Sequence, residues 1–379
     1  MIRLIVGSIL PAFLVAMLAG YIVRWIAARC GFVAAPVGHS THQTPTPLGG
    51  GLAIWLGVLL PLMAGELVLL HLTINPNLDR IDFWLGTGSF RQFVEPHLMG
   101  LLRQSGKLWT LLGGGTVLVL LGLWDDRDRL DWRFRLLVQT LVAMAMVAAG
   151  WRLSLFIDAA WLTGALSVLW IVGLINAFNM LDNMDGLSAG VAAIAAGILA
   201  AVILTAPNPI TRGPQLFVGG LLLVLTGSLL GFLWHNAPPA RLFMGDAGSY
   251  FVGYMMATVT ISATFAGPGL PDHAILAPLC VLAVPIYDML TVIWVRLREG
   301  RSPFSADRCH VSHRLTDLGL SRPRAVLVVW LATLVCGLGA FMLHRVGMKG
   351  AIVVLAAVAS VLVGIAVVDL RSRKHQPEA

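Results

Sequence analysis

Eleven apolar stretches divide this chain of 379 residues, and each meets or approaches the length that crosses a bilayer. A hydrocarbon core of ~30 Å needs about 20 helical residues. The stretches lie at 4–26, 49–72, 107–124, 136–150, 159–176, 188–206, 215–234, 249–266, 274–295, 325–343 and 350–369. The fourth is the shortest and suits a tilted or partly interfacial helix. With 58% apolar and only 12% charged residues, a water-soluble globule could not hide so much hydrocarbon. The runs are continuous rather than alternating, which argues against spanning strands. The expected fold is all-α, a polytopic membrane helix bundle of about eleven transmembrane helices. It forms a single domain over residues 1–370, followed by a polar tail at 371–379. The first stretch has only Arg3 ahead of it and no small-residue cleavage site before Arg29, so it reads as a retained helix.

Lys and Arg favour cytoplasmic segments. With the N-terminus outside, 17 of the 26 Lys and Arg residues fall on the inner side, seven of them from Arg296 to Arg324. The opposite orientation reverses that bias. The expected topology is therefore N-out and C-in, with an extracytoplasmic loop at 73–107 and a cytoplasmic His/Arg loop at 296–324. The net charge of +7 then sits mostly inward, where it suits anionic lipid heads and, around one loop, a diphosphate. No nucleic-acid partner is expected. The four cysteines show no paired spacing, so neither a disulfide framework nor a zinc site is expected.

Six polar clusters interrupt the apolar sequence, at 39–51, 125–139, 176–187, 234–236, 243–249 and 300–319, and this topology puts them all on one face. Asp125 and Asp126 close the third stretch. Paired carboxylates at a helix end can hold Mg2+, or one can ligate while the other accepts a proton. Alone they also read as an ordinary charged loop. Arg135 and Gln139 lie one helical turn apart, where a guanidinium and an amide could meet a phosphate. Asn179, Asp182 and Asp185 recur at intervals of three and would form one stripe on a helix. A polar turn explains their charge but not the spacing, and ionisable groups this near hydrocarbon mark function.

Asp246, between Gly245 and Gly248, opens the eighth stretch. A helix N-terminus favours an anion there, and the glycines allow close backbone approach. Asn236 lies in the entry loop with Pro238 and Pro239, and Phe243 could stack on a base or serve as a plain interfacial aromatic. The longest inner loop carries Arg301, Arg308, His310 and His313, a set that suits an anion. Zinc fits it less well for want of further ligands. Asp288, inside the ninth stretch, is expected to support that loop through an arginine such as Arg296 or through a neighbouring helix. His42 precedes a Pro-stiffened turn and Gly49, Gly50 and Gly51, a pattern that also serves simple helix packing.

As a set, the segments PTPLGGG, LGLWDDRDRL with Arg135 and Gln139, NAFNMLDNMDGL, WHNAPPARLFMGDAGS, PIYD and GRSPFSADRCHVSHRL carry a family resemblance. In order over residues 39–320, they resemble the polyprenyl-phosphate N-acetylhexosamine-1-phosphate transferases of the MraY/WecA type. The eleven stretches and the GRSPF loop lean toward the WecA-like branch, which transfers GlcNAc 1-phosphate from UDP-GlcNAc to undecaprenyl phosphate. The resemblance implies Mg2+, with Mn2+ as an alternative, held by Asp246 and Asp125. It implies a catalytic set of Asp125, Asp126, Asp182, Asp185, His310 and His313. Asn179, Asp182 and Asp185 would line the nucleotide-sugar site, Asn236 and Phe243 would meet the uracil, and Arg308 with the two histidines would hold the diphosphate-sugar. His42, Arg135, Gln139 and Arg301 complete the implied substrate contacts. The implied partners are a UDP-N-acetylhexosamine, polyprenyl phosphate and membrane lipids, with a homodimer left open. The implied location is the bacterial inner membrane, with the active site facing the cytoplasm. Ser312 stands where a histidine is common, Asn183 where glycine is usual, His42 near a lysine of the muropeptide branch, and Leu48 where arginine is common.

The implied reaction is attack of a lipid phosphate on the β-phosphorus of a UDP-sugar, giving lipid-diphosphate-sugar and UMP. Two phosphorylated reactants repel one another, so cations must neutralise them. Direct attack with Asp125 accepting or orienting a proton is the expected route, and a covalent aspartyl-nucleotide route stays open. Three other readings compete: a phospho-MurNAc-pentapeptide transferase, a secondary transporter and a non-catalytic lipid-binding scaffold. A transporter would bury its acids near the bilayer midplane, often within internal repeats. Here they sit at span ends without a visible repeat.

Overall fold

Helix forms along every described apolar stretch, and the departures from the expected spans have local causes. The computed structural model describes residues 1–34, 45–74, 97–153, 157–206, 213–304 and 309–374. Helix α1 (Ile2–Arg29) leads to a short antiparallel pair, β1 (Val33–Ala34) and β2 (Thr46–Pro47). Then follow α2 (Gly50–Ile74), α3 (Ser105–Asp128), α4 (Trp132–Ala148), α5 (Ala160–Leu181), α6 (Leu187–Thr205), α7 (Leu216–Asn236) and α8 (Gly245–Ser262). A 3-10 turn (Asp272–Leu276) precedes α9 (Ala277–Val281), α10 (Ala283–Arg298), α11 (Val311–Asp317), α12 (Arg322–Leu343) and α13 (Met348–Lys374).

Among the described residues, eight helices are long and apolar enough to cross a bilayer: α1, α2, α3, α5, α6, α7, α12 and α13. The chain is a multi-pass membrane protein of all-α class. The expected ninth stretch is not one straight helix: the segment Asp272–Val281 meets α10 at 65°. Pro285 accounts for the break, because its ring lacks an N–H and would collide with the carbonyl of Val281, four residues earlier. Two other expected spans fall short by length or polarity. Helix α4 has 17 residues, and α8 carries Asp246 with several Gly, Ser, Thr and Tyr residues.

The polarity of α8 follows from its place. Every residue from Ala247 to Ile261 is buried, against α2, α3, α5 and α7. A helix solvated by other helices needs shape complementarity more than hydrocarbon affinity. Around it, α6 and α7 have 78% and 72% of their most apolar windows buried, whereas α1 and α13 have 17% and 11%, so the latter two face lipid. Exposed Trp25, Trp124, Trp234 and Trp294 lie near the C-terminal ends of α1, α3, α7 and α10, and Trp109 and Trp161 near the N-terminal ends of α3 and α5. Two such tryptophan levels are the aromatic belts of a membrane protein.

At one end of the bundle, three backbones touch. A Cβ on Gly51 would lie 2.2 Å from the Gly248 nitrogen, and one on Gly122 would lie 2.3 Å from the Ala247 backbone. The amides of Gly50 and Gly51 donate to the Phe243 and Met244 carbonyls at 2.9 and 3.0 Å, and the Phe243 amide donates to Pro47 at 2.9 Å. The three-glycine turn thus brings the start of α2 against the start of α8. Gly51→Ala should lower the Tm of the detergent-purified protein, since overpacking costs about 1–3 kcal/mol. Gly7→Ala, whose Cβ meets nothing within 4 Å, should leave it unlowered in the same thermal unfolding measurement.

Candidate active site

The first turn of α8 begins inside protein, so its backbone N–H groups need acceptors. Asp126 supplies them. Its Oδ1 accepts the Asp246 amide at 2.8 Å and its Oδ2 the Ala247 amide at 3.4 Å. Gly245 has φ +70°, and a Cβ there would lie 2.5 Å from Asp126 Oδ2, so only glycine admits this cap. The Asp246 carboxylate accepts from Asn179 Nδ2 at 2.6 Å, and the same amide reaches Ser249 Oγ at 3.0 Å. Helix α5 and the start of α8 therefore hold Asn179 and Asp246 as a unit.

Asp125, adjacent in sequence, meets Arg135 and the next turn of α8, with Asp246 close by. Its Oδ1 accepts the Leu130 amide at 2.8 Å. Its Oδ2 accepts Tyr250 Oη at 2.6 Å and Arg135 Nη1 at 2.9 Å. Both oxygens accept from protein donors, so a metal held by Asp125, as the sequence suggested, would share the carboxylate with Arg135 and Tyr250. Gln139 keeps its Nε2 without a partner among the described residues. It is buried and accepts Asn176 Nδ2 at 2.7 Å, tying α4 to α5. Asn236 is also spent on structure: its Oδ1 accepts the Gly186 amide at 3.0 Å and its Nδ2 donates to the Leu242 carbonyl at 2.9 Å. That pairing removes both amide ends from the expected uracil contact. The half-buried Phe243 stands at the junction of β2 and α8.

The helical stripe expected for Asn179, Asp182 and Asp185 does not form. Helix α5 ends at Leu181, Asp182 is its C-cap, and Gly186 at φ +72° turns the chain into α6. Only Asn179 is helical, and the turn delivers the two aspartates. Asp185 Oδ2 accepts the Ala240 amide at 2.9 Å. Burial pushes the Asp182 carboxyl well above the usual carboxylate range, and the charges of Asp246, Asp126 and Asp185 push it further. Among the described residues no hydrogen-bond donor serves that carboxylate.

The candidates of the loop after α10 assemble on Asp288, but not through an arginine. Asp288 Oδ2 lies 2.8 Å from His310 Nδ1, and its Oδ1 accepts the Val311 amide at 2.8 Å. A carboxylate beside Nδ1 makes that nitrogen the donor and sets the tautomer of the ring. Arg296, the partner expected from sequence, instead donates to the Pro303 carbonyl. His313 is buried one turn on, its ring 6.3 Å from that of His310. Arg301 pairs with Glu299. His42 and Arg308 lie outside the described residues. Two contacts that sequence reasoning missed dock the loop. Ser312 Oγ donates to Asn183 Oδ1 beside Asp182, and Phe304 stacks on Trp132 at 4.1 Å between centroids. No local pattern links residues so far apart in sequence. Tyr250 was legible in hindsight, one helical turn after Asp246.

Among the described residues, no three His, Cys, Asp or Glu side chains converge closely enough to cage a metal by themselves. Mg2+ does not require such a cage, because it keeps waters and takes one or two carboxylates with substrate phosphates. Asp182, without a donor and crowded by like charge, and Asp246 fit that demand.

Residues 108–264 match glycosyl transferase family 4. A "Probable undecaprenyl-phosphate N-acetylglucosaminyl 1-phosphate transferase" of Bacillus subtilis (strain 168) is 30% identical, over 90% of this chain and 86% of that protein. A "Decaprenyl-phosphate N-acetylglucosaminephosphotransferase" of Mycobacterium tuberculosis (strain ATCC 25618 / H37Rv) is 34% identical, over 84% of this chain and 77% of its own length. An "Undecaprenyl-phosphate alpha-N-acetylglucosaminyl 1-phosphate transferase" of Escherichia coli (strain K12) is 26% identical, over 88% and 82%. The fold and the acidic bundle end are those of a membrane transferase. The chain belongs to glycosyl transferase family 4.

Because folding raises the Asp182 pKa, its ionisation costs stability. That cost is absent below the unfolded carboxylate range and grows as pH rises from there toward the raised folded value. In alkaline, metal-free buffer, Asp182→Asn should therefore raise Tm, and in acid buffer the two proteins should melt closer together. Differential scanning measurements with and without Mg2+ check this, and the added ion should stabilise the parent more than the variant.

Proposed function

We propose that the chain transfers N-acetylglucosamine 1-phosphate from UDP-N-acetylglucosamine to a polyprenyl phosphate, releasing UMP. The observation that carries this reading is the gathering of Asp126, Asp182 and Asp246 around the first turn of α8, at the bundle end. The names of the relatives supply the sugar and the lipid class. An oxygen of the lipid phosphate forms a bond to the β-phosphorus, the bridge to the α-phosphate breaks, and UMP leaves with that electron pair. A phosphomonoester has a second pKa of about 6 and arrives largely ionised. Charge compensation, rather than a strong base, is then what the site must supply.

Asp246 and Asp182 would hold Mg2+, or Mn2+ in its place, which supplies Lewis-acid neutralisation of the phosphates. Asp125 acts by holding Arg135 with Tyr250, in place of the proton-accepting role that the acidic pair first suggested. Asp126 acts as the cap of α8. His310, fixed by Asp288, presents its second ring nitrogen, and Asp185 braces the 236–242 loop. An apolar groove of about 450 Å3 between α5, α8 and α10, lined by Leu166, Trp170, Leu174, Leu279, Met289 and others, suits a polyprenyl tail. The groove comes nearest the acids at Leu174, about 7.5 Å along α5 from Asn179, and its α8 lining, Thr260 and Ile261, lies at the far end of that helix from Asp246.

The bias of arginines supports an N-out topology in a bacterial inner membrane, with the site facing the cytoplasm. One continuous buried core supports a single transferase domain over residues 1–370. The transporter reading fits less well, because these acids lie at helix ends rather than in the middle of spans.

Purified protein with Mg2+, polyprenyl phosphate and a panel of UDP-sugars should release UMP with UDP-N-acetylglucosamine, and chelation should stop it. Asp246→Asn should cut turnover by about 100-fold or more while the protein remains folded. Asp288→Asn and His310→Gln should each reduce turnover, and the double variant should lose no more than the worse single one. UMP release without a lipid acceptor, or full activity of Asp246→Asn, would overturn the proposal.

A further inference from the structure

The acidic end of the bundle has a second charged recess, on the other side of the 236–243 loop. A cavity of about 770 Å3 is lined by Tyr21, Arg24, Trp25, Arg29, Pro47 and Arg241. The Arg29 guanidinium lies 3.7 Å from the Trp25 ring centroid and that of Arg24 lies 5.6 Å from Tyr21. Trp234 Nε1 donates to Tyr21 Oη at 2.8 Å, which fixes the aromatic wall. Among the described residues no carboxylate pairs with any of the three arginines. Residues 35–44, between β1 and β2 in sequence, contain no Asp or Glu. Three like charges around one cavity repel unless an anion sits among them.

The depth and the walls of the recess identify the anion's carrier. Trp25 and Trp234 are 56% and 59% exposed, at the level where aromatic side chains meet lipid headgroups. Below them Leu14, Leu18 and Ile22 are exposed along α1, one of the two helices that face lipid. A ligand that satisfies both features has a negative head and hydrocarbon tails. We propose that this recess is a binding site for the phosphodiester headgroup of an anionic phospholipid, with acyl chains against α1. The site is separate from the reaction centre but coupled to it. Pro47 accepts the Phe243 amide at 2.9 Å, and Arg241 follows Ala240, whose amide holds Asp185 at 2.9 Å. A bound headgroup therefore braces the loop that borders the acidic cluster.

Native mass spectrometry of the full chain in detergent tests this, with phosphatidylglycerol, phosphatidylcholine and inorganic phosphate as probes and polyprenyl phosphate as competitor. Phosphatidylglycerol should be retained in preference to phosphatidylcholine. The triple variant R24Q/R29Q/R241Q should bind it on the order of 100-fold more weakly, at ~1 kcal/mol per charge. The triple lysine variant keeps the charge and should retain most of the affinity, which separates charge loss from misfolding. Equal retention by the parent and the glutamine variant would overturn the proposal. So would displacement of phosphatidylglycerol by millimolar phosphate, which would make this a soluble-anion site, or by equimolar polyprenyl phosphate, which would make it an acceptor site.

Discussion

A helix that begins inside a membrane protein must find acceptors for its first amides, and here one carboxylate provides them. Asp126 caps α8 across a contact so tight that Gly51, Gly122, Gly245 and Gly248 surround it. The same cap that satisfies α8 brings a negative charge next to Asp246, and the turn after α5 adds Asp182. Structural need and functional charge are thus met by one interaction. Removing the cap would leave buried amides unpaired, at a cost of about 1–3 kcal/mol for each group.

Neighbouring acids have opposite fates for a geometric reason. Successive residues on a helix point about 100° apart, so Asp125 meets Arg135 and Tyr250, one turn into α8, while Asp126 meets the first amides of that helix. One is paired with a guanidinium and the other caps a helix, and both crowd Asp246. The cluster is a source of instability in the absence of a cation. Such a cost is tolerated where a charged substrate or ion relieves it. The surrounding scaffold is correspondingly rigid: α8 is buried along its whole central length, and the loop bearing His310 is docked by a histidine–carboxylate hydrogen bond, an aromatic stack and a serine bond.

Hydrocarbon length and polar interruption were readable residue by residue, because each depends only on local composition. The all-α class, the positions of the helices and the grouping of Asp126, Asn179, Asp182 and Asp246 followed from that information. Spacing was a poorer guide. The interval of three between Asn179, Asp182 and Asp185 suggested a helical stripe, yet a left-handed Gly186 ended the pattern. Gln139 and Asn236 looked like substrate contacts because their amides are polar, but the Gln139 oxygen accepts from Asn176 and both ends of Asn236 bond to backbone groups.

Sequence by itself determined that this chain spans a membrane as helices and carries acids, histidines and arginines at the helix ends, since hydropathy and charge are properties of short segments. Tertiary structure alone decided which acid binds an arginine, which caps a helix and which is left without a donor. It also decided that Asp288 serves His310 rather than Arg296. Those outcomes depend on distances between residues far apart in sequence, such as Asp126 and Asp246, 120 positions apart. Only the packing of helices through their glycines sets such distances.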